Sequence, residues 1–248
     1  EYFRVIRVNL TSNISFSGPR QVIFVTSSLP KEGKSMVAFN LASSFAMLGE
    51  KTLLIDGDLR RGTLHYVFNT ASRPGLGQIL RDDASYKDAI TQTPEPNLSF
   101  LPCGRHVTSA SELLESESFA RLIRDLRGEY PRIILDTPPV LGLAETSSMA
   151  KHSDGVVMVI WSGGTPLKAV KTAKSILDAN GGKFFGCVLN KLDLSNATAY
   201  YYYYYYSYKY YQAYHRHEPP KKNASPAILA EEAEHMERSS TDDPSKKT

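Results

Sequence analysis

The sequence is poor in cysteine and has no long apolar run. Among its 248 residues only Cys103 and Cys187 carry thiols, and they form no CxxC pair. That scarcity argues against a disulfide scaffold or a zinc site and fits a reducing compartment. No stretch reaches the ~18 consecutive apolar residues that cross a bilayer. No charged segment followed by an apolar one opens the chain as a secretion signal would. The net charge is only +3, far from the basic excess of proteins built to grip nucleic acid. The first residue is Glu1, not methionine, and it lies inside a helical pattern. The chain is therefore expected to be part of a longer protein, in which a membrane segment has room to precede it.

What is present is the makeup of a globular domain: 42% hydrophobic and 22% charged residues. Short apolar runs read as buried strands at 21–25, 53–55, 98–101, 133–135, 155–160 and 184–189. Helical patterns separate them. The stretch from Ser35 to Leu48 is closed by Gly49, and Phe119, Leu122, Ile123 and Leu126 recur on one face, as Val170, Ala173 and Leu177 do more weakly. Strands alternating with helices, with apolar residues throughout the strands, predict an α/β fold. Its sheet is mostly parallel, of six to eight strands, and covered by helices on both faces.

Three motifs follow predicted strands, where ligands bind in open α/β sheets. The first, Thr26-Ser-Ser-Leu-Pro-Lys-Glu-Gly-Lys-Ser35, resembles a phosphate-binding P-loop, with Ser28 where a glycine usually leads. Gly33 lets backbone N–H groups approach phosphate oxygens, and the helix after it presents its positive end to the same anion. Lys34 supplies a charge for the β- and γ-phosphates, and Ser35 a hydroxyl for Mg²⁺. The second motif carries Asp56, Asp58 and Arg60; the third is Asp136-Thr-Pro-Pro139. Asp56 and Asp58 alone read as a solvated turn, and Asp136 alone as a strand-end residue. Three carboxylates beside a triphosphate repel it unless a divalent cation lies between them.

Together these motifs resemble the bacterial tyrosine kinase family, P-loop enzymes related to chromosome-partitioning and septum-placing ATPases. The resemblance spans residues 1–214, and segments 73–80 and 111–114 are similar to linking segments of that family. It implies an ATP- and Mg²⁺-dependent protein-tyrosine autokinase. It assigns Lys34, Asp56, Asp58 and Asp136 to catalysis, with Asp56 accepting the proton, and Ser35 and the three aspartates to the metal. Ser28, Pro30, Glu32, Gly33, Lys34, Ser35, Met36, Arg60 and Asn190 would hold the nucleotide, Asn190 against the adenine. A plain partitioning-type ATPase usually has lysine directly after the first P-loop position; here it is Leu29. Asn190-Lys-Leu-Asp193 also matches the NKxD pattern of GTPases, so a guanine preference is the rival on this point.

After Asn196 the composition changes. Tyr200, Tyr201, Tyr202, Tyr203, Tyr204, Tyr205 and Tyr206 are consecutive, and Tyr208, Tyr210, Tyr211 and Tyr214 follow. The run has neither helical nor strand periodicity, so it cannot set one face against a core. Taken alone it fits an aggregating β segment, a stacking surface for single-stranded nucleic acid or a membrane-interface band as well as it fits phosphoacceptors. A magnesium–nucleotide site nearby favours the last. A non-catalytic adaptor phosphorylated by another enzyme would not need Lys34, Ser35 and the three acids. The expected organisation is a kinase domain over 1–196, a tyrosine cluster over 197–214 and a disordered tail over 215–248, with a brief helix over 228–236.

Glu1, Arg4 and Arg7 recur every third residue along one stripe of a helix over 1–10. Alone the pattern is a solvated charged face. The resemblance implies that it mediates ring-like self-association. The family further implies a location at the inner face of the bacterial cytoplasmic membrane. There a transmembrane polysaccharide co-polymerase, fused upstream or separate, would be the partner, and capsular or extracellular polysaccharide export the process regulated. No nucleic-acid partner is expected.

Overall fold

The computed structural model describes residues 2–12, 18, 20–105 and 107–193. The chain divides into two units, 1–192 and 193–248, and the fold below is that of the first. The tyrosine cluster, the tail, the segment 228–236 and Glu1 lie outside the described residues. Helix α1 (Tyr2–Thr11) leads to strand β1 (Gln21–Ser27), α2 (Lys34–Ala46) and β2 (Thr52–Asp56). Three one-turn helices follow, α3 (Leu64–Val67), α4 (Leu76–Ile79) and α5 (Tyr86–Ala89), then β3 (Thr91–Gln92) and β4 (Leu98–Leu101). The chain continues through α6 (Ala110–Glu115), α7 (Glu117–Glu129), β5 (Arg132–Asp136), α8 (Ala144–Ala150), β6 (Gly155–Trp161), α9 (Leu167–Ala179) and β7 (Phe184–Asn190).

The seven strands form one sheet in the order β3-β4-β2-β5-β1-β6-β7. All neighbours run parallel except the edge pair β3–β4. Strands β1, β2, β4 and β5 are buried along their whole length, which is why they read as unbroken apolar runs. Alternate side chains still serve opposite faces. Val22, Phe24, Leu53, Ile55, Ile133 and Leu135 meet α7 and α9 through Phe119, Leu126, Ala173 and Leu177. Ile23, Val25, Leu54 and Ile134 meet α2 through Val37, Leu41 and Phe45. Strand β7 forms an edge and is only partly covered.

The six strands predicted from apolar runs are present. The seventh, β3, has two exposed residues and no hydrophobic pattern to show it. Helix α2 ends near the predicted position, and Gly49 takes φ 83°, the left-handed conformation that stops it. Helix α8 gave no amphipathic signal, because its sequence Ala-Glu-Thr-Ser-Ser-Met-Ala buries Glu145 and Thr146 as well as Met149.

Helix α1 packs on this domain: Phe3, Ile6 and Leu10 join the core on the α2 side. The expected stripe of arginines is divided by that packing. Arg4 is exposed, whereas Arg7 is buried with its guanidinium donating to the carbonyl of Ser44 in α2. Steps of three advance about 60° short of a full turn, enough to carry Arg7 into the interface. No helix among the described residues is long and apolar enough to cross a membrane.

Candidate active site

The loop between β1 and α2 is held by its own carbonyls and by two distant elements. The Ser27 hydroxyl donates to the Leu29 carbonyl at 2.7 Å, and the Leu29 N–H donates to Glu32 Oε2 at 2.8 Å. Val140 and Leu141 N–H groups donate to the carbonyls of Ser27 and Ser28 at 2.8 and 3.2 Å. From the end of β7, Asn190 Nδ2 donates to the Glu32 carbonyl at 2.9 Å and Lys191 Nζ to that of Lys31 at 2.7 Å. Gly33 takes φ 95°, and a Cβ there would stand 2.1 Å from Asn190 Nδ2. Only glycine combines that backbone with that approach. With these carbonyls engaged, the N–H groups at the start of α2 are in a position where an anion could bind.

These contacts refine the predicted nucleotide set. Glu32 is buried, and its carboxylate is committed to Leu29 N–H and the Thr165 hydroxyl. It shapes the loop. Ser28 is buried with its hydroxyl 3.5 Å from Met158 Sδ and is not among the residues with positive φ. The usual leading glycine is therefore not required here. Pro30 and Met36 are exposed on the loop and at the start of α2. Arg60 is engaged by a different element: its Nε donates at 2.6 Å to Oε1 of buried Glu145 in α8. Ser111 donates to the other oxygen of Glu145 at 2.9 Å. Burial raises the Glu145 pKa, but Arg60, backbone N–H and Ser111 outweigh it and hold the carboxyl below its usual range. Glu145 was not legible in the sequence, since nothing local distinguishes it from a solvated helical glutamate.

The three predicted acids and the loop converge. Asp56 and Asp136 end neighbouring parallel strands and are direct register partners. Gly57 permits the close crossing there, because a Cβ would fall 2.7 Å from the Asp136 carbonyl. Lys34 Nζ lies 3.6 Å from Asp136 Oδ1 and 3.7 Å from Asp58 Oδ2, and donates to the Ser35 hydroxyl at 3.2 Å. The other Asp58 oxygen accepts the N–H groups of Arg60 and Arg61 at 3.3 and 2.9 Å. Asp56 accepts those of Asp58 and Leu64 at 3.3 and 3.1 Å.

Electrostatics set what this cluster can do. Asp56 is fully buried, and burial, then the charge of Asp136, push its pKa up to about 7. Burial also raises Asp136, against the pull of the Lys34 ammonium. Asp136 Oδ1 is buried and accepts no hydrogen bond. One lysine cannot neutralise three carboxylates. A divalent cation among Ser35, Asp58 and Asp136 fits the excess charge and the unsatisfied oxygen.

Residues 21–175 match the family model described as an AAA domain. The chain is 37% identical over 203 residues to the putative tyrosine-protein kinase CapB of Staphylococcus aureus, covering 81% of this chain and 87% of the relative. The chain belongs to the bacterial tyrosine-protein kinases. The kinase domain of Escherichia coli tyrosine kinase ETK superposes with a TM-score of 0.73 at 26% identity, over 76% of this chain and 73% of that one. The septum site-determining protein MinD from Pyrococcus horikoshii OT3, solved in complex with Mg-ADP, superposes at 0.60 with 26% identity, over 68% of this chain and 70% of the other. The kinase therefore shares its fold with P-loop ATPases and is an ATP-dependent phosphotransferase by family.

The raised Asp56 pKa has a consequence for stability in the metal-free kinase. A carboxyl with a folded pKa above its unfolded value contributes stability that is full below the unfolded pKa near 3.8 and is lost as pH rises to about 7. Asp56→Asn removes that ionisation. Its stability relative to wild type should rise between pH 4 and 7, by on the order of a few kcal/mol, then level off. Urea unfolding across pH in chelator measures this; a difference independent of pH would refute the assignment.

Proposed function

We propose that this kinase transfers the γ-phosphoryl group of ATP, with Mg²⁺, to tyrosines of its own cluster, Tyr200 to Tyr214. The observation that carries the reading is the Lys34 ammonium, 3.6–3.7 Å from Asp136 and Asp58 and beside the Gly33 turn. A triphosphate on the loop would place its β- and γ-oxygens at Lys34 and the N-terminus of α2. The cation supplied with it would neutralise charge building on the transferred group. Ser35, Asp58 and Asp136 would hold that cation.

A tyrosine hydroxyl has a pKa near ~10 and is a weak nucleophile at neutral pH. Its oxygen would attack the γ-phosphorus in line. The bond to the β,γ-bridging oxygen breaks, ADP leaves, and the phenolic proton passes to Asp56. A carboxylate with a pKa of about 7 suits a proton acceptor working near neutrality. Tyr200 lies ten residues beyond Asn190, which itself braces the phosphate loop. An extended chain covers roughly 33 Å over that interval, enough to present successive hydroxyls to its own site or to a neighbour's.

The resemblance and the outer side of α1 support transfer in trans within an oligomer. Arg7 is buried against α2, and Arg4 lies on the exposed side of α1 with Tyr2, Val5 and Val8. Apolar groups at three-residue spacing around a cation offer a contact face for a second copy. Each phosphate brings about −1.5 to −2 charges, so phosphorylated tails would repel one another and the acidic site. The family resemblance supports a site of action for this kinase at the inner face of the cytoplasmic membrane. Its partner there is a transmembrane co-polymerase, and its role is regulation of capsular or extracellular polysaccharide production.

Incubation with Mg-ATP should give phosphotyrosine on immunoblots, and Lys34→Met should give none. Asp56→Asn should slow transfer by about 10²–10⁴-fold. Labelling that persists in Lys34→Met overturns the kinase reading for this site, and wild-type turnover in Asp56→Asn alone reassigns the proton acceptor. Light scattering should find an oligomer before phosphorylation and a monomer after it; equal masses would discard the switch.

A further inference from the structure

Asp56 faces a second group of donors besides the phosphate loop. Asp56, His65 in α3 and Cys103 beyond β4 each offer one ligand atom, and the three atoms lie within 4.8 Å of one another. Asp56 and Cys103 are buried. Each member is fixed by backbone contacts of its own. The Leu64 N–H donates to Asp56 Oδ2 at 3.1 Å, which seats the start of α3, and so His65, beside the carboxylate. Leu76 and Gly77 N–H groups donate to the carbonyls of Pro102 and Cys103 at 2.8 and 2.9 Å, which fixes the thiol segment. Gly62 closes over the pair: a Cβ there would stand 2.4 Å from Cys103 Sγ and 2.7 Å from Asp56 Oδ2.

The donor types differ from those of the magnesium site. Magnesium takes oxygen ligands. A carboxylate oxygen, an imidazole nitrogen and a sulfur suit zinc, with bonds of about 2.0–2.3 Å and a fourth position for water. Tetrahedral bonds of that length separate donors by roughly 3.3–3.7 Å, so side-chain shifts of about an ångström complete the shell. The sequence concealed this set because the three residues come from separate segments and lack paired spacing.

We propose that Asp56, His65 and Cys103 form a site for Zn²⁺ or a similarly soft divalent ion, and that its occupancy withdraws the Asp56 carboxylate from phosphoryl transfer and inhibits the kinase. The inhibitory half rests on the role given to Asp56 above; the metal site itself does not. Binding forms a metal–sulfur bond, releases the Cys103 thiol proton to solvent and involves no redox change.

The test adds Co²⁺, as the spectroscopic stand-in for zinc, to the full chain carrying Cys187→Ser, in excess Mg²⁺. Removing the exposed Cys187 leaves Cys103 as the single thiol. We expect thiolate-to-cobalt charge transfer and the visible bands of tetrahedral cobalt, bleached by zinc. Cys103→Ser should abolish the charge transfer, and His65→Gln should weaken cobalt binding by roughly 10–100-fold. Zinc should inhibit autophosphorylation of the parent, and Cys103→Ser, with basal activity retained, should need roughly a hundredfold more. No thiolate band in the parent, or the same band in Cys103→Ser, overturns the site, and the parent measurement decides even if a variant fails to fold. Cobalt bands without zinc inhibition overturn the switch, and activity retained in Asp56→Asn would trace that failure to the Asp56 assignment.

Discussion

The structure depends on one electrostatic problem: three carboxylates gathered at the ends of two adjacent parallel strands, with a single lysine among them. Asp56 and Asp136 are buried and raised in pKa, and Lys34 reaches Asp58 and Asp136 at distances too long for hydrogen bonds. Burial favours the protonated forms of Asp56 and Asp136, against the pull of Lys34. Such an arrangement costs stability, and it makes physical sense where a bound cation and a phosphate chain complete the charge balance.

The fold delivers this crowding through its strand order. Strand β1 lies between β5 and β6, while β2 lies on the far side of β5. The chain leaving β1 therefore enters α2 directly above the ends of β2 and β5. Lys34 and Ser35, the first residues of α2, fall beside Asp136 without any long side-chain excursion. The same placement brings the end of β7 onto the loop, where Asn190 and Lys191 grip its carbonyls. Glu32, Asn190 and Gly33 thus act on one another before any ligand is present, and the loop is shaped in advance of binding.

Much of this was readable in the residues, for definite reasons. The buried strands carry continuous apolar runs because both sheet faces are covered, and the loop and the acids follow strands at the spacing a phosphate site demands. Contacts made across the chain were not readable. The commitment of Glu32 to Leu29 and Thr165, the Arg60–Glu145–Ser111 bridge and the burial of Arg7 on Ser44 depend on elements brought together only in space. Glu145 is instructive, since helix α8 has no amphipathic pattern and its buried acid looks like a surface residue until Arg60 is placed beside it. Likewise, Asp56, His65 and Cys103 are unremarkable along the sequence and adjacent in the fold.

The central claim is that the buried acids surrender protons when a cation and phosphates arrive. Calorimetric titration with a preformed magnesium complex of a non-hydrolysable ATP analogue, repeated in buffers of different ionisation enthalpy near pH 6.5, measures the protons released. The account predicts net proton release that diminishes in Asp56→Asn, and binding that fails when magnesium is withheld. Equal affinity with and without magnesium, with no proton exchange, would contradict it.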